Sequence, residues 1–202
     1  MSTFTLVAPE TATGRAQELL AAVKTQLGRV PNMMLAMATA PATLDAYLQM
    51  SAALAKGALP TKTRELIALT VGQASECGYC LAAHSTLGKA AGLAPEQMLA
   101  ARNGRSEDVS TSALLHFAAV VVEKRGRVLA TDLAVLRSAG FGDSAIAEVV
   151  ANVALNLFTN YFNHVTEVAV DFAAAPPLAA VPAPVAIGTT FPPLVAAAVA
   201  VS

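Results

Sequence analysis

Apolar positions recur at three- and four-residue spacing through most of the chain, and this pattern predicts helices. Residues 13–28 set Ala16, Leu19, Leu20, Val23 and Leu27 on one face, with Arg15, Glu18 and Lys24 elsewhere. "VPNMMLAMATAP" predicts a short helix between Pro31 and Pro41, carrying a Met33, Met34, Met37 stripe that reads as core or as contact with an apolar substrate. Residues 42–56 repeat the pattern with Leu44, Tyr47, Leu48, Ala52 and Leu54, and Gly57 stops it. Pro60 opens "TKTRELIALTVGQA", which ends near Ser75. A further helix follows to Gly92, a glycine suited to the left-handed residue past a helix end. "APEQMLAARNG" has Pro95 in its first turn, as helix starts allow. Residues 107–125 form a strongly apolar helix, and "TDLAVLRSAG" a short one. Asp143 or Ser144 starts a long last helix, expected to run through "NHVTEVAVDF". No alternating strand pattern and no repeat of solenoid length interrupts this order, so the expected fold class is all-α.

The last thirty residues break the pattern. They are rich in proline and alanine and carry no charge, so they cannot form one long helix. The expected organisation is a helical domain over 1–172 and a tail over 173–202 that docks through Phe191 and Leu194.

Composition narrows the setting. The 202 residues are 55% hydrophobic and only 13% charged, against about a quarter charged in an average protein. So little charge cannot easily cover a monomer, which predicts a homo-oligomer. A net charge of −1 without a basic cluster gives nucleic-acid binding no electrostatic footing. Apolar runs such as "FAAVVV" are far shorter than the roughly 20 residues a bilayer requires, and the N-terminus lacks the pattern of a secretory signal. A cytoplasmic location without membrane partners is the expectation.

The only two cysteines stand three apart in "SECGYCLAAH", with His84 four residues past the second. In a reducing compartment that spacing reads as reactive or metal-binding rather than as a structural staple. On a helix, Cys77, Cys80 and His84 share one stripe. Near a helix N-terminus the thiolate form is favoured by unpaired N–H groups. Glu65 lies ten residues before Ser75 and His84 nine after it. If the chain turns back there, the two sit at equal depth on antiparallel helices, and the carboxylate orients the imidazole. Zinc is a rival reading: Cys77, Cys80 and His84 are three plausible ligands, with Glu65 or water as a fourth.

At these residues the chain resembles a family. "RELIALTVGQASECGYCLAAH" is similar to the alkylhydroperoxidase D-like proteins of the carboxymuconolactone decarboxylase fold. "VPNMMLAMA" and "NYFNHVTEVAVDF" resemble that family's peroxidase-related branch. The resemblance covers roughly residues 30–170. It implies an all-α helical bundle built into oligomers, with a hexamer beside a trimer as the expected assembly; no bound cofactor or metal is expected. It implies reduction of small hydroperoxides through a CxxC dithiol, which a dithiol or lipoyl-type donor reduces again. By motif position Cys80 matches the peroxide-attacking cysteine, Cys77 its disulfide partner, His84 the proton-relay histidine and Glu65 the relay glutamate. Tyr79 stands where some members have histidine, and reads as pocket wall, core or a catalytic residue. The decarboxylase members lack the CxxC. His164, within the "NYFNHVTE" cluster of Tyr161, Asn163 and Glu167, is a candidate for the pocket or an oligomer contact. His116, among Leu114, Leu115 and Phe117, reads as a core or interface histidine. The rival reading from another class is a non-catalytic helical module whose CxxC-xxx-H binds metal or senses redox state.

Overall fold

A computed structural model of the chain describes residues 4–178. Among them the regular elements are all α-helices: α1 Gly14–Leu27, α2 Asn32–Met37, α3 Pro41–Leu54, α4 Thr61–Ala74, α5 Gly78–Ala90, α6 Pro95–Arg102, α7 Val109–Glu123, α8 Ala130–Ser138 and α9 Asp143–Thr166. These follow the expected order closely. The helix ends have local causes. Gly28 closes α1 in the left-handed region at φ 74°, Pro41 opens α3, and Asp108 caps α7 by accepting the Thr111 N–H at 2.7 Å.

α4 is the axis of the molecule. Leu66 to Gly72 are buried without a break, because α5, α6, α7 and α9 surround the helix. A helix apolar on all sides has to be covered on all sides. Two apolar cores result. One gathers Ile67, Leu69, Leu114, Leu115, Leu136 and Val149 between α4, α7, α8 and α9. The other gathers Leu20, Val23, Met33, Met37 and Leu44 from α1–α3, and it includes Cys77, Tyr79 and Cys80. The start of α5 therefore sits where the second core meets α4.

The last helix differs from expectation. α9 ends at Thr166, where Glu167 takes φ 48° and its N–H bonds back to the Asn163 carbonyl. Residues 167–172 run instead as a strap across the start of α5. Asp171 anchors it by accepting bonds from Tyr79 Oη at 2.7 Å, the Asn32 N–H at 3.1 Å and Arg29 Nη1 at 3.2 Å. The Ala169 carbonyl accepts from Asn32 Nδ2 at 3.0 Å. These long-range bonds satisfy backbone and side chains that a longer α9 would have left in solvent. The expected anchors of the tail, Phe191 and Leu194, lie outside the described residues. Within them, Ala175 packs against the first core and the Pro176 carbonyl accepts from Arg102. His116 is exposed on α7 and not in the core, since its neighbours Leu115 and Phe117 take the inward positions.

No single helix among the described residues is long and apolar enough to cross a membrane.

Candidate active site

The turn between α4 and α5 builds the cysteine motif. The Cys77 N–H bonds to the Gly72 carbonyl at 2.9 Å and the Glu76 N–H to the Gln73 carbonyl at 3.1 Å. With Glu76 at φ 55°, this is the six-to-one and five-to-two bonding of a Schellman helix ending, carried by a glutamate where glycine is usual. Cys77 thus ends the α4 signal and is also the N-cap of α5, its Sγ accepting the Cys80 N–H at 3.3 Å. One turn in, Cys80 comes within disulfide reach, with Cα atoms 5.3 Å apart, and the two sulfurs are joined. Both cysteines are buried.

His84 lies one turn beyond Cys80. Its Nδ1 is 2.8 Å from Glu65 Oε2, across the α4–α5 contact. The equal depth expected from the turn at Ser75 is therefore present. His84 also separates two cavities. One, of about 330 Å³, is mostly apolar; Cys80, His84, Met33, Met34, Tyr47 and Phe172 lie on its wall. The other, of about 150 Å³, is more polar and contains Glu65, Arg64, Asn152 and Asn156 beside the same histidine. Tyr47 borders both. Burial, helped by the nearby Glu65 charge, pushes its phenol up to about 12, so it stays a neutral hydroxyl.

Tyr79, inside the motif, walls the larger cavity. Its hydroxyl donates to Asp171 and accepts from the Met33 N–H at 3.2 Å. Burial first, and then the Asp171 carboxylate, hold it above the usual phenol range. Phe172 meets the Tyr79 ring edge-on at 5.6 Å, and the Arg29 guanidinium lies 4.3 Å from the Phe172 centroid. The strap thereby fixes the middle of the CxxC motif.

Of the sequence candidates, Cys77, Cys80, His84, Glu65 and Tyr79 are brought together. His164 is not. Its Nε2 sits 2.8 Å from the Ser75 carbonyl on the outer side of the α4–α5 turn, away from both cavities. Tyr161 is exposed. The member of that cluster that does reach the site is Asn163, whose Nδ2 lies 3.3 Å from Cys80 Sγ. The signal for it was in the sequence. Asn152, Asn156 and Asn160 repeat every four residues on an apolar helix, with Asn163 three further on, and all four are buried. Among the described residues no group of three or more His, Cys, Asp or Glu side chains is arranged to hold a metal ion.

No curated protein matches the chain. Residues 41–123 match the carboxymuconolactone decarboxylase family. That segment runs from the start of α3 to the end of α7 and contains the whole Glu65–Cys77–Cys80–His84 arrangement. Among solved structures, a peroxidase-related protein with an alkylhydroperoxidase AhpD core from Ralstonia eutropha JMP134 aligns with a TM-score of 0.76 at 22% identity, over 84% of this chain and 92% of that one. A peroxidase-related protein from Silicibacter sp. TM1040 aligns at 0.69 and 26% identity, over 76% and 83%. The debrominase Bmp8, in complex with 2,3,4-tribromopyrrole, aligns at 0.70 and 21% identity, over 85% and 94%. The segment from α3 to α7 thus matches the carboxymuconolactone decarboxylase family, and the chain shares the all-helical fold of the alkylhydroperoxidase D-like, peroxidase-related proteins.

Proposed function

We propose that the protein is a dithiol oxidoreductase that reduces hydroperoxides at Cys80. The observation that carries this reading is one histidine held by Glu65 at 2.8 Å and bordering the same apolar cavity as Cys80. In the reduced protein the Cys80 thiolate attacks the terminal peroxide oxygen. An S–O bond forms, the O–O bond breaks, and the leaving oxygen takes a proton from the His84 imidazolium to give an alcohol. Cys77 then attacks the sulfenic sulfur and displaces water, giving the disulfide. A small dithiol or lipoyl-type donor returns two electrons and two protons. Glu65 orients His84, while the more polar cavity beside it connects the pair to bulk protons. Cys80 and not Cys77 lines the cavity, which favours Cys80 as the attacking sulfur.

The decisive experiment is a thiol count on reduced protein before and after one equivalent of an organic hydroperoxide. Loss of two thiols with formation of one alcohol is expected. Retention of both thiols would refute the reading and leave the non-catalytic, metal-binding or redox-sensing alternative. Because a debrominase shares the fold, the same reduced protein is offered a brominated pyrrole in parallel. Bromide release without peroxide consumption would reassign the chemistry.

The assembly proposal rests on α9. Val150, Phe158, Tyr161 and Val165 are exposed along one side of it at helical spacing. That stripe, on a chain with few charges, suits a second copy, in dimeric units gathered into a trimer or hexamer. Light scattering at micromolar concentration is expected to give a multiple of the 20.6 kDa chain, and a monomer would refute it. Residues 1–172 are proposed as the helical domain and 173–202 as an appended tail.

A further inference from the structure

α9 buries four asparagines, and they do not all serve the same end. Asn152 and Asn156 direct Nδ2 to carbonyls one turn back, at 2.8 Å each. Asn163 does not. Its Nδ2 lies 3.3 Å from Cys80 Sγ and 3.3 Å from Met33 Sδ, while its Oδ1 is buried with no hydrogen-bond partner among the described residues. The neighbours fix which end of the amide faces them. A thioether has no hydrogen to give, and neither a disulfide sulfur nor a thiolate has one. Only the NH₂ end can serve both sulfurs; Oδ1 in that place would set lone pairs against lone pairs. An acceptor is left unpaired so that a donor can point at the cysteine.

We propose that Asn163 is a catalytic residue that donates its Nδ2–H to the Cys80 sulfur and holds that sulfur as a thiolate in the reduced protein. The other donor at hand is already committed. The Cys80 backbone N–H, which a thiolate at this helix position would use, is turned to Cys77 Sγ. The ionisable groups near Cys80 are Cys77 joined to it, His84 on α5, Glu65 on α4 behind it, Tyr47 on α3, Arg29 between α1 and α2 on the same cavity wall and paired with Asp171, and Tyr79 tied to that Asp171 of the strap. α9 supplies no charge there, only this amide. An amide does not release a proton at working pH. Asn163 therefore acts on the fraction of Cys80 present as thiolate and leaves proton delivery to His84.

This rests on Cys80 being the attacking thiol, but its test needs no peroxide. Reduced wild type, Asn163→Ala and Asn163→Asp are alkylated with iodoacetamide across pH, and each cysteine is followed by mass spectrometry. A hydrogen bond to a charged group typically shifts such an equilibrium by about tenfold or more. In Asn163→Ala the Cys80 curve is expected to move up by about one pH unit, roughly tenfold less thiolate at a given pH on the acid side. In Asn163→Asp, nearly isosteric but anionic, it moves further. The Cys77 curve stays in place in both. A merely structural role would move both cysteines together and lower the melting temperature of the reduced protein. Unchanged Cys80 curves, or equal shifts of Cys77 and Cys80, would overturn the proposal. If wild type proves inert to hydroperoxides while the Cys80 curve shifts as expected, the peroxidase reading falls and the thiolate donor stands.

Discussion

Replacing Glu65 by glutamine tests the proposed relay at its most specific point. Glutamine has the same shape and keeps an oxygen that accepts the His84 Nδ1–H, so the 2.8 Å geometry should persist. What disappears is the negative charge. The pair is well shielded, with side-chain exposures of 16% for Glu65 and 21% for His84, so solvent screens it only in part. A hydrogen bond to a charged group is worth about 1.5–3 kcal/mol, and a neutral one about 0.5–1.5. The difference, about 1–2 kcal/mol, bears on the imidazolium that gives its proton to the leaving oxygen. At 1.36 kcal/mol per tenfold, Cys80 oxidation should slow by roughly five- to thirtyfold. Removing the proton donor with His84→Ala should cost more, about 10²–10⁴-fold. The chain has no tryptophan to report the reaction. The assay is therefore rapid quenching with an alkylating agent after hydroperoxide addition, with loss of free Cys80 read by mass spectrometry from pH 6 to 8. A Glu65→Gln rate within twofold of wild type across that range, with unchanged melting temperature, would remove Glu65 from the mechanism.

Cys77→Ser is expected to leave a sulfenic acid on Cys80 that a dimedone-type probe labels, whereas Cys80→Ser leaves Cys77 largely unlabelled because Cys77 does not open onto the cavity; the opposite labelling pattern would reverse the assignment. Glu76→Gly should stabilise the fold by about 0.5–1 kcal/mol, since Glu76 sits at φ 55° where glycine is at no disadvantage, and thermal melting should rise by about 1–4 °C. Glu148 accepts the Ala58 and Leu59 N–H groups at 2.8 and 3.0 Å, and these bonds hold its carboxyl below the usual range. A depressed folded pKa contributes stability that is complete above the unfolded value, about 4.3, and is lost as pH falls through the folded one. Glu148→Gln should therefore melt lower than wild type at pH 7, and the gap should close as pH falls below about 4. A gap that is constant with pH would refute that account.

How much of this was legible in the sequence depended on the range of the interactions. The helices were, because each is fixed by periodicity and by local start and stop signals such as Gly57, Pro60 and Gly92. The Glu65–His84 pairing was too, since counting residues out from one turn is enough to match depths on two adjacent helices. The end of α9 was not. Val168 and Phe172 continue an apolar pattern that reads as helix, and only the bonds of Asp171 to Tyr79, Arg29 and Asn32, from segments some 90 to 140 residues away, show why the chain leaves it. His164 looked like a site residue from its neighbours in sequence. One position decides otherwise, because on a helix adjacent residues diverge by about 100°, so Asn163 faces the cysteine while His164 faces the outside.

The buried asparagines extend that lesson to the mechanism. Asparagine is a poor helix former, and four of them on the inner face of a helix in an apolar core oppose both propensity and burial. Asn152 and Asn156 line the more polar cavity next to Glu65, and Asn163 lines the apolar one next to Cys80. His84 stands between the two. On the proposed mechanism this division has a use. Protons arrive on the polar side, where charge is well solvated. The sulfur reacts on the apolar side, where a thiolate is less solvated and its partners count for more. A single imidazole joining the two sides transfers the proton without opening the sulfur to bulk water. The arrangement requires α9 to be polar along one line and apolar around it, and that is the pattern its sequence carries.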